Sequence, residues 1–385
     1  MFMKLLHFSE VGGGVDRYIK LYLKYSDKEH FKNIVVGSDQ LNRQTYEQEY
    51  NVKFYHIDIY RSLSPIKLLR AIKQFRKILY LERPDIVYLH STFAGVVGRL
   101  ASMGLSCKVV YNPHGWSFKM DVSKIKQFVY KKIEKFLSYL TDKYILISKF
   151  EYEAAQSLKI PLKKLTLVYN GVEIDEDFNE NQINVLLPTN KYVIGMIGRI
   201  SEQKNPFFFV EFAKKLSEIY SNLYFVIVGD GELRGRTEEL IEEYGLRSSF
   251  FITGWVDNPE DYLAQFNQAV LFSKWEGFGL AVAEYMKHKK PILITNVDGM
   301  SELVIDGESG FKVPLYNLEV AVDRSRSIIE NRELANELGS AAFQRVRSIF
   351  EIKEKVSELE NIFMSLGGDD NLLKKNNSIL FKRRN

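Results

Sequence analysis

Short apolar runs separated by amphipathic stretches recur along this chain, and that alternation limits its possible folds more than any other feature. Residues 4–8, 33–36, 52–57, 86–89, 108–111, 144–147 and 165–168 are rich in Val, Ile, Leu and Tyr and read as buried strands. Between them, residues 66–81 carry apolar side chains at Ile66, Leu68, Leu69, Ile72, Phe75, Ile78 and Leu79, the three-and-four spacing of one helix face. Apolar strands linked by helices need cover on both faces, so the pattern predicts a parallel sheet between helical layers. After Asn170-Gly171 and a polar stretch, 173–190, the alternation begins again. Strands are expected at 192–197, 223–228, 250–252, 269–272 and 292–294, with helices at 206–220, 237–244, 259–266, 280–287 and 318–331. This predicts an α/β chain of two Rossmann-like, doubly wound domains, 1–171 and 172–350. A helix at 351–366, free to pack back on the first domain, and a polar, basic tail at 367–385 complete it.

Charge supports the same division. The formal net charge of +4 averages two unlike halves. Residues 1–170 hold 28 Lys and Arg against 15 Asp and Glu, a net of +13, and the remainder holds 25 against 34, a net of −9. With 45% hydrophobic residues the chain can build two cores of ordinary size. The single cysteine, Cys107, excludes a disulfide framework and is expected as a small buried hydrophobe. The six histidines lack metal-ligand spacing, so no metal is expected. No window approaches the roughly 20 apolar residues of a spanning helix. Residues 1–8 are too short and strand-like for a signal peptide, and a cytoplasmic location is the expectation.

Three segments can carry chemistry. Gly12-Gly13-Gly14 lies between the first strand and a helix, where the backbone can approach a ligand and a helix start presents N–H groups to an anion. Its spacing departs from G-x-G-x-x-G and no acidic residue ends the next strand, which argues against a nicotinamide dinucleotide. In the second segment, Gly198 through Pro206, Asn205 is the expected N-cap and Pro206 the first helical residue. Arg199 and Lys204 then stand near a helix N-terminus at a strand end, where two cations suit a diphosphate. The third segment is Glu276-Gly277-Phe278-Gly279-Leu280-Ala281-Val282-Ala283-Glu284. Its first carboxylate falls on a loop and its second about one turn inside a helix. Such a pair can hold sugar hydroxyls and a ribose diol while the N–H groups of Phe278, Gly279 and Leu280 face phosphate oxygens.

G-R-I-x-x-Q-K-N followed by E-G-F-G-x-x-x-x-E resembles the retaining glycosyltransferases of family 4, which have the GT-B fold of two Rossmann-like domains facing across a cleft. The glycine loop, His114-Gly115, Asn170-Gly171-Val172, Gly229-Asp230-Gly231 and Gly254-Trp255-Val256 fall in that family's order, so the resemblance runs from about residue 4 to about residue 350. It implies that Arg199 and Lys204 hold the donor's diphosphate, that Glu276 contacts the donor sugar, and that Glu284 binds the ribose. It further implies backbone contacts from Phe278, Gly279 and Leu280, a nucleobase contact near Val256, His114 close to the transferred sugar, and Gly13 and Gly14 near phosphates and acceptor. Asp16 stands where many members have Glu. The implied catalytic set is His114, Arg199, Lys204 and Glu276, acting without a metal or other cofactor, with a UDP-sugar as the expected donor.

His90, at a strand end, is a candidate acceptor contact or a satisfied structural histidine, and His7, His30, His56 and His288 read as structural or surface residues. Lysine-rich amphipathic stretches at 67–77 and 124–137, the latter after the aromatic segment 116–120, suit an anionic membrane surface; the alternative is a solvated face over a buried stripe. Nucleic acid is disfavoured by the acidic second half. The expected activity is sugar transfer to a glycan or polyprenyl-diphosphate-linked acceptor in exopolysaccharide, capsule or O-antigen synthesis at the inner face of the cell membrane. A nucleotide-sugar epimerase and a non-catalytic sugar-nucleotide-binding subunit are the rivals.

Overall fold

The computed structural model describes residues 2–59, 64–174 and 187–368. The expected basic tail lies outside these residues, as does most of the polar stretch after the domain junction. The chain divides into two compact units, Val172–Glu351 and the remainder, Met1–Gly171 with Ile352–Asn385.

In the first unit the strands are β1 (Met3–Ser9), β2 (Phe31–Gly37), β3 (Lys53–His56), β4 (Ile86–His90), β5 (Lys108–Asn112), β6 (Lys143–Leu146) and β7 (Leu165–Leu167). Its helices are α1 (Gly14–Tyr25), α2 (Pro65–Glu82), α3 (Thr92–Ala101), α4 (Lys124–Leu137) and α5 (Lys149–Ser157). The strands form one parallel sheet in the order β3-β2-β1-β4-β5-β6-β7. Side-chain parity along each strand separates two cores. Leu6 and Phe8 pack on one face with Phe75 of α2 and Val97 of α3. Leu5 packs on the other with Ile19 and Tyr22 of α1.

The second unit contains β8 (Tyr192–Ile197), β9 (Leu223–Val228), β10 (Phe250–Ile252), β11 (Gln268–Leu271), β12 (Ile292–Thr295) and β13 (Phe311–Val313). Its helices are α6 (Pro206–Ser217), α7 (Arg234–Glu243), α8 (Glu260–Leu263), α9 (Leu280–Lys287), α10 (Leu318–Glu330) and α11 (Arg332–Ile349). Its sheet is again parallel, in the order β10-β9-β8-β11-β12-β13. Strand β13 and helix α11 have no counterpart among the expected elements: β13 is only three residues long, and α11 begins directly after α10 with Asn331 as its cap, so no turn signal separates the two. The helix expected over 259–266 contracts to α8.

The last helix, α12 (Ile352–Gly367), belongs to the first unit, where Val356, Leu359 and Phe363 join the core beneath α1. Cys107 is half-buried just before β5 rather than inside it. Helix α4 inverts the usual pattern. Glu134 is buried in a bidentate pair with Arg99 of α3, at 2.8 and 3.1 Å, while Ile125 (78% exposed), Phe128 (60%) and Phe136 (63%) face solvent.

Candidate active site

Both sheets reverse winding direction between two adjacent strands, β1 and β4 in one unit and β8 and β11 in the other. Loops leaving the carboxyl ends of such strands diverge and open a crevice, the usual ligand position in this architecture. Every expected site residue lies in a loop or helix that follows one of β1, β5, β8 and β11, except Val256, which follows β10, and His90, the last residue of β4.

In the second unit, β8 pairs directly with β11, and this brings residues far apart in sequence together. The loop after β8 carries Arg199 and Lys204, and the loop after β11 carries Glu276. Lys204 donates from Nζ to Glu276, both side chains being largely buried at 16% and 9% exposed. The Oγ of Ser273 donates to the same carboxylate at 3.1 Å, and the backbone N–H of Glu276 donates to Asp298 Oδ2 at 3.2 Å. Gln203 staples the two loops further, with Nε2 donating to the Trp275 carbonyl at 3.0 Å and its own carbonyl accepting from Lys274 N–H at 2.8 Å. Sequence reasoning assigned no partner to Ser273, Asp298 or Gln203: Ser273 bonds within its own loop, Asp298 is brought in by the pairing of β11 with β12, and Gln203 by that of β8 with β11.

Gly279 precedes the first turn of α9 at φ 92°, which glycine adopts without the Cβ penalty. Phe278 is buried and packs edge-on against Phe350, so its backbone rather than its ring is available at the helix start. Glu284 lies inside α9 and is buried. Arg199 is different: its side chain is 61% exposed and pairs with Glu232 at 3.0 Å. Asn205 does occupy the N-cap position of α6, yet its backbone is left-handed and its side chain makes no capping bond, with Nδ2 buried and unpartnered among the described residues. That departs from the expected cap.

Gly229-Asp230-Gly231 explains itself sterically. A Cβ on Gly229 would overlap the carbonyl oxygen of Gly198, and one on Gly231 would overlap that of Ile200. The loop after β9 therefore rides directly on the loop that carries Arg199, held by Ile200 N–H to Asp230 O at 2.9 Å. Gly254 bridges to Gly229, which sets the half-buried Val256 and the exposed Trp255 beside the end of β9.

In the first unit, Gly13 sits at the N-terminus of α1 with φ 64° and open space where a Cβ would stand. Gly14 is the first helical residue and is exposed. Asp16 accepts from Tyr46 Oη at 2.7 Å and pairs with Lys20, so it serves the fold. Glu10 accepts from Ser91 Oγ at 2.5 Å and from the N–H groups of Phe93 and Ala94, occupying the start of α3. His114 follows β5 in a left-handed conformation, φ 48°, and Glu151 of α5 braces the turn by accepting from Gly115 N–H at 2.6 Å.

His114 does not stand alone. Its Nε2 lies 3.0 Å from Nδ1 of His90, whose Nε2 lies 3.2 Å from Nδ1 of His7. Burial lowers the pKa of His114 to about 3 and that of His7, opposed by a hydrogen bond to Asn33, to about 4, and holds His90 well below its ordinary value. All three rings are neutral at pH 7, so His114 presents a hydrogen-bonding ring rather than a cation. His90 is fully buried inside this row and is a structural link rather than a free acceptor contact. No group of metal-ligating side chains occurs among the described residues.

The arrangement suits a ligand with a negatively charged, leaving diphosphate: cations and a helix N-terminus at one strand end, and buried carboxylates for hydroxyl groups beside them. Residues 12–176 match the family model described as Glycosyltransferase Family 4, and residues 177–345 match that described as Glycosyl transferases group 1. The chain is 28% identical over 327 residues to the UDP-Gal:alpha-D-GlcNAc-diphosphoundecaprenol alpha-1,3-galactosyltransferase of Escherichia coli, covering 81% of this chain and 84% of that one. It is 23% identical over 376 residues to the capsular polysaccharide biosynthesis glycosyltransferase CapM of Staphylococcus aureus, covering 94% and 96%. Anabaena Alr3699/HepE, solved in complex with UDP and glucose, shares the fold with a TM-score of 0.81 at 18% identity, covering 94% of this chain and all of that one. With two parallel Rossmann-like sheets and family models spanning residues 12–345, the chain belongs to the family 4 glycosyltransferases of the GT-B fold.

Proposed function

We propose that this enzyme transfers a sugar with retention from a UDP-sugar to a polyprenyl-diphosphate-linked glycan during assembly of a cell-surface polysaccharide. The single observation that carries the donor assignment is the stapled pair of loops in the second unit, where Lys204, on the loop that also carries Arg199, is held to Glu276 just before α9. Lys204 is ordered before any ligand arrives, so its charge is placed without further loss of side-chain freedom. Arg199, with a planar fork and only a surface partner, is positioned to follow the charge that develops on the departing diphosphate. Glu276 holds sugar hydroxyls, Glu284 the ribose, and the backbone of Phe278, Gly279 and Leu280 the phosphate oxygens. Val256 and its neighbours line the base. Gly13, Gly14 and His114 are assigned to the transferred sugar and the acceptor.

The polyprenyl-linked acceptor is supported by the name of the Escherichia coli relative, and the polysaccharide product by that of the Staphylococcus aureus relative. It is also supported by α4, whose exposed Ile125, Phe128 and Phe136 are interleaved with Lys124, Lys126, Lys131, Lys132 and Lys135. Such a helix lies well on an anionic membrane surface, and no described helix is long and apolar enough to cross one. Metal-independent transfer is part of the proposal. The one D-x-D spacing in the chain, Asp175-Glu176-Asp177, falls in the polar stretch outside the described residues.

The test is a panel of UDP-, GDP- and dTDP-sugars assayed for thermal stabilisation, then for transfer to a polyprenyl-diphosphate-linked glycan with and without EDTA. Stabilisation by UDP-sugars, transfer that survives EDTA, and loss of transfer in Glu276→Ala are expected. Release of UDP at a rate indifferent to acceptor would overturn the transferase reading in favour of donor rearrangement.

A further inference from the structure

The row of histidines that ends at His114 begins on the C-terminal helix. Glu360 of α12 is buried, and its Oε1 accepts from Ser26 Oγ and from the backbone N–H of Asp27, each at 2.9 Å. The Oγ of Ser26, having given its proton to Glu360, accepts from Asn33 Nδ2 at 3.0 Å. That bond orients the amide, so Asn33 Oδ1 faces His7 Nε2 at 3.3 Å. An amide oxygen only accepts, and Nε2 of His7 must therefore carry the proton. Its Nδ1 is then a lone pair, which requires Nε2–H on His90. The Nδ1 of His90 in turn requires Nε2–H on His114. Every donor along the row points toward Glu360. No hydrogen bond reaches Nδ1 of His114 among the described residues.

The surroundings keep this order intact. The rings of His7 and His90 stack at 5.4 Å and 8°, and those of His90 and His114 at 5.3 Å and 30°. Tyr18 closes on His114 edge-on at 4.8 Å, Tyr22 covers His7 at 5.0 Å, and Phe363, one turn beyond Glu360 on α12, packs on Tyr88 at 5.3 Å. With water excluded, reversing one link leaves a buried donor facing a donor, a cost that hydrogen-bond networks of this kind resist.

We propose that Glu360 is a positioning residue: through Ser26, Asn33, His7 and His90 it holds His114 in the tautomer protonated at Nε2, leaving Nδ1 as an acceptor for a hydroxyl of the sugar substrate. The row itself is independent of the sugar-transfer reading, while the role of the Nδ1 lone pair rests on it. In this view α12 is a part of the site as well as a cover for the first unit's core.

The test uses the full chain labelled with 15N at histidine, observed by long-range 1H–15N correlation at pH 7.5. Wild type should show three neutral imidazoles with His114 protonated at Nε2. Glu360→Leu and His7→Phe should each turn His114 into a mixture containing the Nδ1-protonated form, and Glu360→Gln, which keeps an acceptor oxygen, should restore the wild-type tautomer. Ser26→Ala cuts the row with a smaller volume change and serves if Glu360→Leu does not fold. In transfer assays the kcat of Glu360→Leu should fall about tenfold, the worth of one neutral hydrogen bond, with donor KM unchanged and kcat recovered in Glu360→Gln. An unchanged His114 tautomer in His7→Phe and in Glu360→Leu, or Ser26→Ala in its place, overturns the proposal, and so does a tautomer shift that leaves kcat untouched. Failure of wild type to bind or use any sugar nucleotide overturns the sugar-transfer reading instead, and the tautomer spectra remain readable in that case.

Discussion

The two units share a sheet but not a chemistry. Each has the same strand order around one switch point, and the loops at the carboxyl ends of the strands are held in different ways. The second unit staples its loops to one another with ion pairs, Lys204 to Glu276 and Lys274 to Glu202. The first orders its own with carboxylates that accept N–H bonds, Glu10 and Glu151, and adds behind them a row of neutral imidazoles ending on the buried Glu360. Net charge follows the division. With residues 352–385 counted in the first unit, it carries 35 basic against 20 acidic residues, a net of +15, and the second carries 18 against 29, a net of −11. A shared backbone topology thus decides where ligands are met, and the loop residues decide by what means.

The sharpest way to break the comparison is through the glycines. Gly229→Ala forces a Cβ into the carbonyl of Gly198 and should destabilise the second unit by about 4 kcal/mol or more, at the upper end of single substitutions. Gly13→Ala meets open space and should cost only about 1–3 kcal/mol, for a positive-φ backbone that glycine alone adopts readily. Chemical denaturation of both variants checks this contrast.

Next come the two cations of the second unit. Lys204→Ala strands the buried Glu276 carboxylate and should lower stability by about 3–5 kcal/mol along with donor binding. Arg199→Ala removes only a surface ion pair, so its thermal midpoint should stay close to wild type while kcat falls about 10²–10³-fold. Equal losses of stability in both would refute the division of labour.

On the first unit, replacing Lys126 and Lys131 of α4 with Ala should weaken binding to anionic vesicles by about 2 kcal/mol, near thirtyfold, with UDP affinity unchanged. Vesicle sedimentation at two salt concentrations measures it.

The smallest effect concerns pH. The buried histidines have lowered pKa values, so the unfolded chain binds more protons than the folded one between about pH 4 and 6.5, and stability rises with pH across that window. Glu360 is raised to about 7 by burial, with the nearby Asp27 carboxylate adding to the rise against the Ser26 and Asp27 amide bonds and Tyr22. Its folded form binds the extra proton between about 4.5 and 7, and its contribution falls with rising pH there. The two slopes oppose each other. Glu360→Gln should therefore steepen the rise of stability between pH 4.5 and 6.5 by up to about 1.4 kcal/mol per pH unit, read from thermal midpoints across that range.

Much of this molecule was legible before its coordinates. Strands β8, β9 and β10 and helix α9 have the bounds that the apolar runs predict, because buried parallel strands and an amphipathic helix write their periods directly into the chain. Arg199, Lys204 and Glu276 were visible as residue types suited to a diphosphate sugar, since that chemistry admits few alternatives. Gln203 and Asp298 were not, because nothing local marks an amide or a carboxylate as the partner of a loop that only strand pairing brings near, and Ser273, three residues before Glu276, carries no periodic signal. Helix α4 shows the limit from the other side: its periodicity is plain, but periodicity alone does not say which face meets the core, and the Arg99–Glu134 pair turns the apolar side outward.

The sequence by itself determined the two parallel sheets, the junction after Asn170-Gly171 and the charged residue types on the loops after β8 and β11, since all of these follow from local periods and short motifs. Only the tertiary structure decided that His7, His90 and His114 share one row, and that the row ends on Glu360 near the far end of the chain. Strand pairing and the return of α12 to the first unit bring those residues within hydrogen-bond reach, and hydrogen bonds depend on distance in space rather than on separation along the chain.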